Sequence, residues 1–241
     1  MDKAKIGQHI SQQFDGELED IRNRVMTMGG LVEQQLSDAL RALGDIDAEL
    51  AEVVMTNDYK INALEVAIDE ECVQILARRQ PAAGDLRLVI AVIKTITDLE
   101  RIGDEAERVG RMALHFAETG GESKMLVGIN HLGEHVRGML HDALDAFARM
   151  DTDAAIDVAK QDEKADRSYE SILRELMTYM MEDSRAIPNV VDVMWSARAL
   201  ERIGDRAKNI CEYVIYLVRG KDVRHVSMEQ VEAHARSEHD D

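Results

Sequence analysis

Two copies of one hexapeptide carry the chemistry that this sequence offers. Leu99-Glu100-Arg101-Ile102-Gly103-Asp104 and Leu200-Glu201-Arg202-Ile203-Gly204-Asp205 both read LERIGD. In an α-helix, residues four apart stand one turn above each other on one face. Each copy therefore sets a glutamate beside an aspartate, Glu100 with Asp104 and Glu201 with Asp205. Like charges at that spacing repel by about 0.2–0.5 kcal/mol. Hard cations take carboxylate oxygens, so a pair written twice points to a bound metal ion. The plainer alternative is a solvated acidic face, with Asp104 paired to Arg108 and Asp205 to Lys208 at helical spacing.

Other residues bear on that choice. Glu65 and Asp69 are four apart on the preceding helix of the first half, and Asp162, Asp166 and Glu170 follow the same spacing in the second. They either face the hexapeptide helix and complete a cluster, or form a charged outer face. Asn62 stands where the second half has Asp166, which leaves the first group less charged. Gly103 and Gly204 each cost about 1 kcal/mol against alanine inside a helix. They serve either close helix packing or room for a ligand or partner. Arg101 and Arg202 either bind an anion or partner, or pair with an acidic neighbour such as Glu105 for Arg101. His131 and His135 flank Glu134 without forming HExxH, which excludes a zinc protease site. The Glu-x-x-His of a ferritin-like di-iron centre is missing, as are GxSxG and GxxxxGK. No catalytic residue is assigned.

Long amphipathic helices must position these groups. Leu18, Ile21, Val25, Met28, Val32, Leu36, Ala39 and Leu43 advance by three or four, which predicts a first helix over 14–43. Gly29-Gly30 inside it marks a kink or a close crossing. A second helix is expected over 48–79, capped by Asp47 and ended by Pro81 and Gly84. Asp85 would cap a third over 86–118. After Thr119-Gly120-Gly121 the pattern restarts, with helices over 124–150, from Asp151 or Asp153 to 183, and from Pro188 to 219. Gly220 stops the last one.

The halves align. At an offset of 104, Gly29, Val32, Leu36, Asp38, Asp47, Asp58 and Ile68 meet Gly133, Val136, Leu140, Asp142, Asp151, Asp162 and Ile172. The proline-bearing loop then loses three residues, and the hexapeptides align at an offset of 101. A helix-helix-helix unit is thus written twice. The expected fold is all-α, two tandem repeated three-helix bundles of six long antiparallel helices. The division reads as a flexible N-terminus over 1–13, bundles over 14–118 and 124–220, a linker over 119–123, and a flexible tail over 221–241.

Composition agrees with that fold. Apolar residues make up 45% and aromatics only 4%, in a chain of 241 residues rich in helix formers. The net charge of −18 disfavours nucleic acid and anionic lipid, and favours cations and basic partners. Cys72 and Cys211 fall on apolar helical positions, as reduced core residues of a cytosolic protein would. Neither a signal peptide nor a membrane span is predicted.

Beyond the duplicated LERIGD, the stretches CVQILARRQPAAGDLR (72–87) and LMTYMMEDSRAIP (176–188) closely resemble the PhoU family of bacterial phosphate-transport accessory proteins. The resemblance runs from HISQQF (9–14) to VRHV (223–226). It implies a cytoplasmic protein, peripheral to inner-membrane complexes, that is not an enzyme. It implies a negative regulator of the phosphate regulon that also restrains phosphate uptake. The implied partners are the ATPase subunit of the phosphate ABC transporter, a membrane sensor histidine kinase and a second copy of the chain. Some family members carry metal clusters on E(D)xxxD motifs, which map here onto Glu100, Asp104, Glu201 and Asp205. Magnesium, manganese, zinc, iron or no metal are all compatible with the family. The alternative function is a metal-binding helical protein with a hydrolase, oxidase or storage role. The missing histidine ligands and pocket aromatics weigh against the enzymes.

Overall fold

The computed structural model describes residues 12–224 and 226. Of the flexible termini expected over 1–13 and 221–241, residues 1–11, 225 and 227–241 lie outside the described residues, while 12–13 belong to the first helix. Helix α1 spans Gln12–Asp45, α2 Ala48–Asn57, α3 Tyr59–Arg79 and α4 Ala83–Glu118. A short 3-10 turn over Ser123–Leu126 leads into α5 (Val127–Arg149), followed by α6 (Thr152–Glu182) and α7 (Ile187–Arg219). No strand occurs among the described residues. The architecture is two tandem three-helix bundles, in which α2 and α3 together make the second long helix of the first bundle.

The helix ends follow local chemistry. Asp47 caps α2 by accepting from Leu50 N at 3.0 Å. Asp151 caps α6 by accepting from the backbone of Asp153 and Ala154. Pro188 sits in the first turn of α7, and Gly220 ends that helix at φ 72, with its N–H on Tyr216 O at 2.9 Å. Three expectations need correction. The helix over 48–79 is interrupted at Asp58, where Ile61 N bonds Asp58 O at 2.9 Å across three residues. Asn57 and Asp58 compete for backbone groups and weaken a helix, whereas Lys160 and Gln161 precede Asp162 and α6 runs on unbroken. Asp85 lies within the first turn of α4, and Ala82 holds the cap position. Finally, Val223 is buried, so the start of the C-terminal segment packs into the core.

The bundles lie side by side and share one apolar core. α4 runs along α7, and α1 packs on α5. Gly29 lies inside an unbroken α1 at a close crossing; a Cβ there would stand 2.8 Å from Leu144 Cδ2. Gly133 receives Leu40 in the same way. Since 29 aligns with 133 and 40 with 144, this is one contact seen from both ends of an approximate twofold axis. Polar groups tie the α4–α7 seam. Tyr213 OH donates to Asp98 Oδ2 at 2.7 Å, Arg202 Nη1 donates to Glu105 Oε1 at 3.0 Å, and His115 Nδ1 lies 2.7 Å from Asp192 Oδ2. Cys72 and Cys211 are buried and free; burial pushes the Cys72 thiol up to about 12 and the Cys211 thiol higher.

Candidate cation sites on the two LERIGD helices

In the first bundle, α4 presents Glu100 and Asp104 one turn apart, and Glu107 extends the same face by another turn. Across from them stand Asp58, at the α2–α3 break, and Glu65 on α3. Asp58, Asp104 and Glu107 each offer a carboxylate oxygen, and these oxygens lie within 4.8 Å of one another. Asp58 is 7% exposed, and its two oxygens accept from Gln35 Nε2 at 3.1 Å and Asn62 Nδ2 at 2.9 Å. Both donors are neutral. Gly103 lets this group approach α4, because a Cβ there would stand 3.2 Å from Asp58 Oδ1 and 3.3 Å from Gln35 Oε1. Gln35 Oε1 is itself buried without a hydrogen-bond partner.

Electrostatics report the crowding. Burial, then the Asp104, Glu65 and Asp58 charges, raise the Glu100 carboxyl above its ordinary value. Burial, then Asp58 and Glu107, raise Asp104. Burial, then Asp69, raise Glu65, against the pull of Arg101. Each of these groups resists ionising where it stands, and a divalent cation would reverse that cost.

The second bundle repeats the frame with different chemistry. Asp162 and Asp166 come from α6, Glu201 and Asp205 from α7. Asp162 is 5% exposed, and Lys208 Nζ lies 2.7 Å from its Oδ2. Arg198 Nη1 holds Glu201 Oε1 at 2.6 Å. Burial raises Asp166, Glu201 and Asp205, with the neighbouring carboxylates adding to each. Burial works against the charge of Lys208, but the Asp162 hydrogen bond and the surrounding acids outweigh it and hold its pKa up.

The remaining sequence candidates separate. Asp69 lies one turn beyond Glu65, exposed on α3. Glu170 is exposed on α6 and pairs with Arg174 at 3.7 Å. Arg101 does not pair with Glu105; it sits 3.8 Å from Asp98 with half its side chain in solvent. Glu105 instead takes Arg202 and Arg108, because the seam turns its carboxylate toward α7. Arg202 is thus committed to joining the bundles. Sequence reasoning passed over Asp58, Glu107 and the engagement of Lys208 with Asp162. The repeat carried a signal for the first, since Asp58 occupies the place of Asp162. Glu107 was findable as the next residue on the Glu100–Asp104 face, seven positions along.

Comparison with known proteins bears on what this frame belongs to. The PhoU domain matches residues 25–113 and 129–214, one match per bundle. The phosphate-specific transport system accessory protein PhoU homolog of Pseudomonas aeruginosa is 55% identical, over 95% of this chain and 94% of that protein. The crystal structure of PhoU from Pseudomonas aeruginosa superposes with a TM-score of 0.85 at 56% identity, covering 87% of this chain and all of that one. The phosphate transport system regulatory protein PhoU of Streptococcus pneumoniae gives a TM-score of 0.80 at 34% identity, over 88% of this chain and 99% of that one. With both bundles matched and the similarity running nearly end to end, the chain belongs to the PhoU family.

Proposed function

We propose that this chain is a non-enzymatic accessory protein of a phosphate transport system and a negative regulator of the phosphate regulon. It works on the cytoplasmic side as a homodimer, restrains phosphate uptake, and carries the state of the transporter's ATPase subunit to the sensor histidine kinase. The observation that carries this reading is the near full-length similarity to a phosphate-specific transport system accessory protein, at 55% identity.

The geometry suits an adaptor. Asp104 and Asp205 stand open to solvent on a rigid helical frame. Among the described residues, no helix is long and apolar enough to cross a membrane. A surface hollow of about 130 Å³ is lined by Leu31, Gln35, Val53, Val54, Asn57 and Ile61 among others, and by none of the cluster carboxylates. A hard divalent ion fits the oxygen donors of Asp58, Asp104 and Glu107, beside the orphaned carbonyl of Gln35. Held there, it supplies charge that would draw the carboxylates together and fix the docking surface.

The test is a deletion strain grown in plentiful phosphate. Alkaline phosphatase should rise, and the intact gene should restore it to the basal level. Unchanged phosphatase in the deletion strain refutes the regulatory reading. The full chain should also retain the ATPase subunit and the kinase sensor region in pull-downs. Steady phosphoester turnover by the purified, metal-loaded chain would instead favour a hydrolase.

A further inference from the structure

Aligning the repeats at the two acid clusters exposes a charge exchange. Five equivalent positions line each cluster: 58, 62, 100, 104 and 107 in the first half, 162, 166, 201, 205 and 208 in the second. Four of the five are carboxylates in each. The odd one is Asn62 in the first cluster and Lys208 in the second, where the first has Glu107. The first cluster therefore contains only oxygen acceptors and neutral amides, whereas the second contains its own ammonium group.

The surroundings follow that difference. Among the described residues, no lysine or arginine forms an ion pair with Asp58 or Asp104; Glu107 is reached only by Arg111, which is exposed at the rim. Gln35 is 6% exposed, donates through Nε2 to Asp58, and leaves Oε1 buried with nothing to accept from. That oxygen and Asp58 Oδ1 both border the space beside Gly103. A buried carbonyl without a donor next to three converging carboxylates asks for a cation. In the second half, position 139 is a methionine where the first has Gln35, so that carbonyl is missing. Lys208 Nζ instead sits 2.7 Å from Asp162 Oδ2, and Asp205 lies one turn before it on α7.

We propose that the two clusters are unequal cation sites: the first takes one hard divalent ion between Asp58, Asp104 and Glu107, while the Lys208 ammonium fills the corresponding place in the second. The chain then binds one such ion, and the second half keeps its acidic surface independent of metal supply. This rests on the cation reading given above and assigns its stoichiometry and location. A divalent ion entering the second cluster has to displace an ammonium already paired to a buried carboxylate.

The test exchanges the two residues in the full chain, with Mn²⁺ as the probe. Free Mn²⁺ is read by electron paramagnetic resonance after equilibrium dialysis, and folding is checked by circular dichroism. The wild-type chain should bind one Mn²⁺, Glu107→Lys none and Lys208→Glu two. The double exchange should return to one, now sensitive to Asp166→Asn, which leaves wild-type binding untouched. If Lys208→Glu fails to fold, Lys208→Gln replaces it and should show a larger Mn²⁺-dependent rise in Tm than the wild type. Glu107→Gln should weaken wild-type binding by roughly tenfold or more. Two ions on the wild-type chain, or a folded Lys208→Glu that still binds one, overturns the inequality while leaving cation binding intact. No Mn²⁺ on any variant overturns both.

Discussion

Gly103 and Gly204 occupy the same place in the two hexapeptides, yet replacing each with alanine should move stability in different directions. Alanine gains about 1 kcal/mol over glycine within a helix, whichever half it is in. At Gly204 the new Cβ would meet Val136 Cγ2 at 3.6 Å, Ala165 Cβ at 3.7 Å and Asp162 Oδ1 at 3.8 Å, all ordinary contacts. Gly204→Ala should therefore stabilise by about 1 kcal/mol, which for a chain of this size is a rise of about 2–4 °C in Tm. At Gly103 the Cβ would stand 3.2 Å from both Asp58 Oδ1 and Ile61 Cδ1, and 3.3 Å from Gln35 Oε1. Something must give, and what gives is the buried Gln35–Asp58 hydrogen bond. Overpacking costs about 1–3 kcal/mol, so Gly103→Ala should be neutral to destabilising by about 2 kcal/mol. It should also weaken Mn²⁺ binding, since Asp58 moves. Urea unfolding at pH 7.5, with and without Mn²⁺, reads both effects. Equal shifts of the same sign in the two variants would show that Gly103 is not shaped by the acid cluster, and the reasoning would fail.

Two further outcomes can be checked on the same protein. Gly133→Ala drives a methyl group into Leu40 and should destabilise by about 1–2 kcal/mol after the helix gain is deducted. Combined with Leu40→Ala it should cost less than the sum of the two changes, by about 1 kcal/mol in a double-mutant cycle. Glu212, half-buried one turn beyond Lys208, is pushed up from 4.5 to about 7, chiefly by burial, with Asp222 adding and Lys208 opposing. Its folded value lies above its unfolded one, so its favourable contribution is complete below about pH 4.5 and is lost as pH rises through 7. Glu212→Gln should thus be more stable than the wild type at pH 8, by about 1–3 kcal/mol, and close to indistinguishable from it at about pH 4 by thermal unfolding.

The fold was legible because its signals are periodic and repeated. Ile21, Val25, Met28, Val32 and Leu36 are all fully buried on α1, as their spacing requires. The caps at Asp47 and Asp151 and the stop at Gly220 act through their own side chain or backbone, so local sequence sufficed. The site was only partly legible, because its members come from separate helices. The ExxxD spacing fixes Glu100 and Asp104 on one face, but it says nothing of which α3 residue lies opposite. Asp58 was passed over because it stands inside what the spacing predicts as one unbroken helix, and only the bundle brings it to Gly103. Arg101 and Arg202 are identical in local sequence. Only the α4–α7 packing decides that Arg202 meets Glu105 while Arg101 faces solvent.

The break at Asp58 and the ammonium at Lys208 belong to the same divergence between the halves. A buried aspartate inside a helical bundle needs donors or a counter-charge. In the second half Lys208 provides the charge, and Asp162 stays in the middle of an unbroken helix. In the first half, among the described residues, no lysine or arginine pairs with Asp58, which is satisfied by two neutral amides, one of them Asn62 on the next turn of its own chain. The backbone at Asp58 keeps helical angles, φ −58 and ψ −33, so the break changes hydrogen bonding more than conformation. The two aspartates hold the same place in the repeat, but only the second is neutralised from within. The duplicated apolar skeleton holds both bundles in one core, while a few polar exchanges give their acidic faces different neighbours.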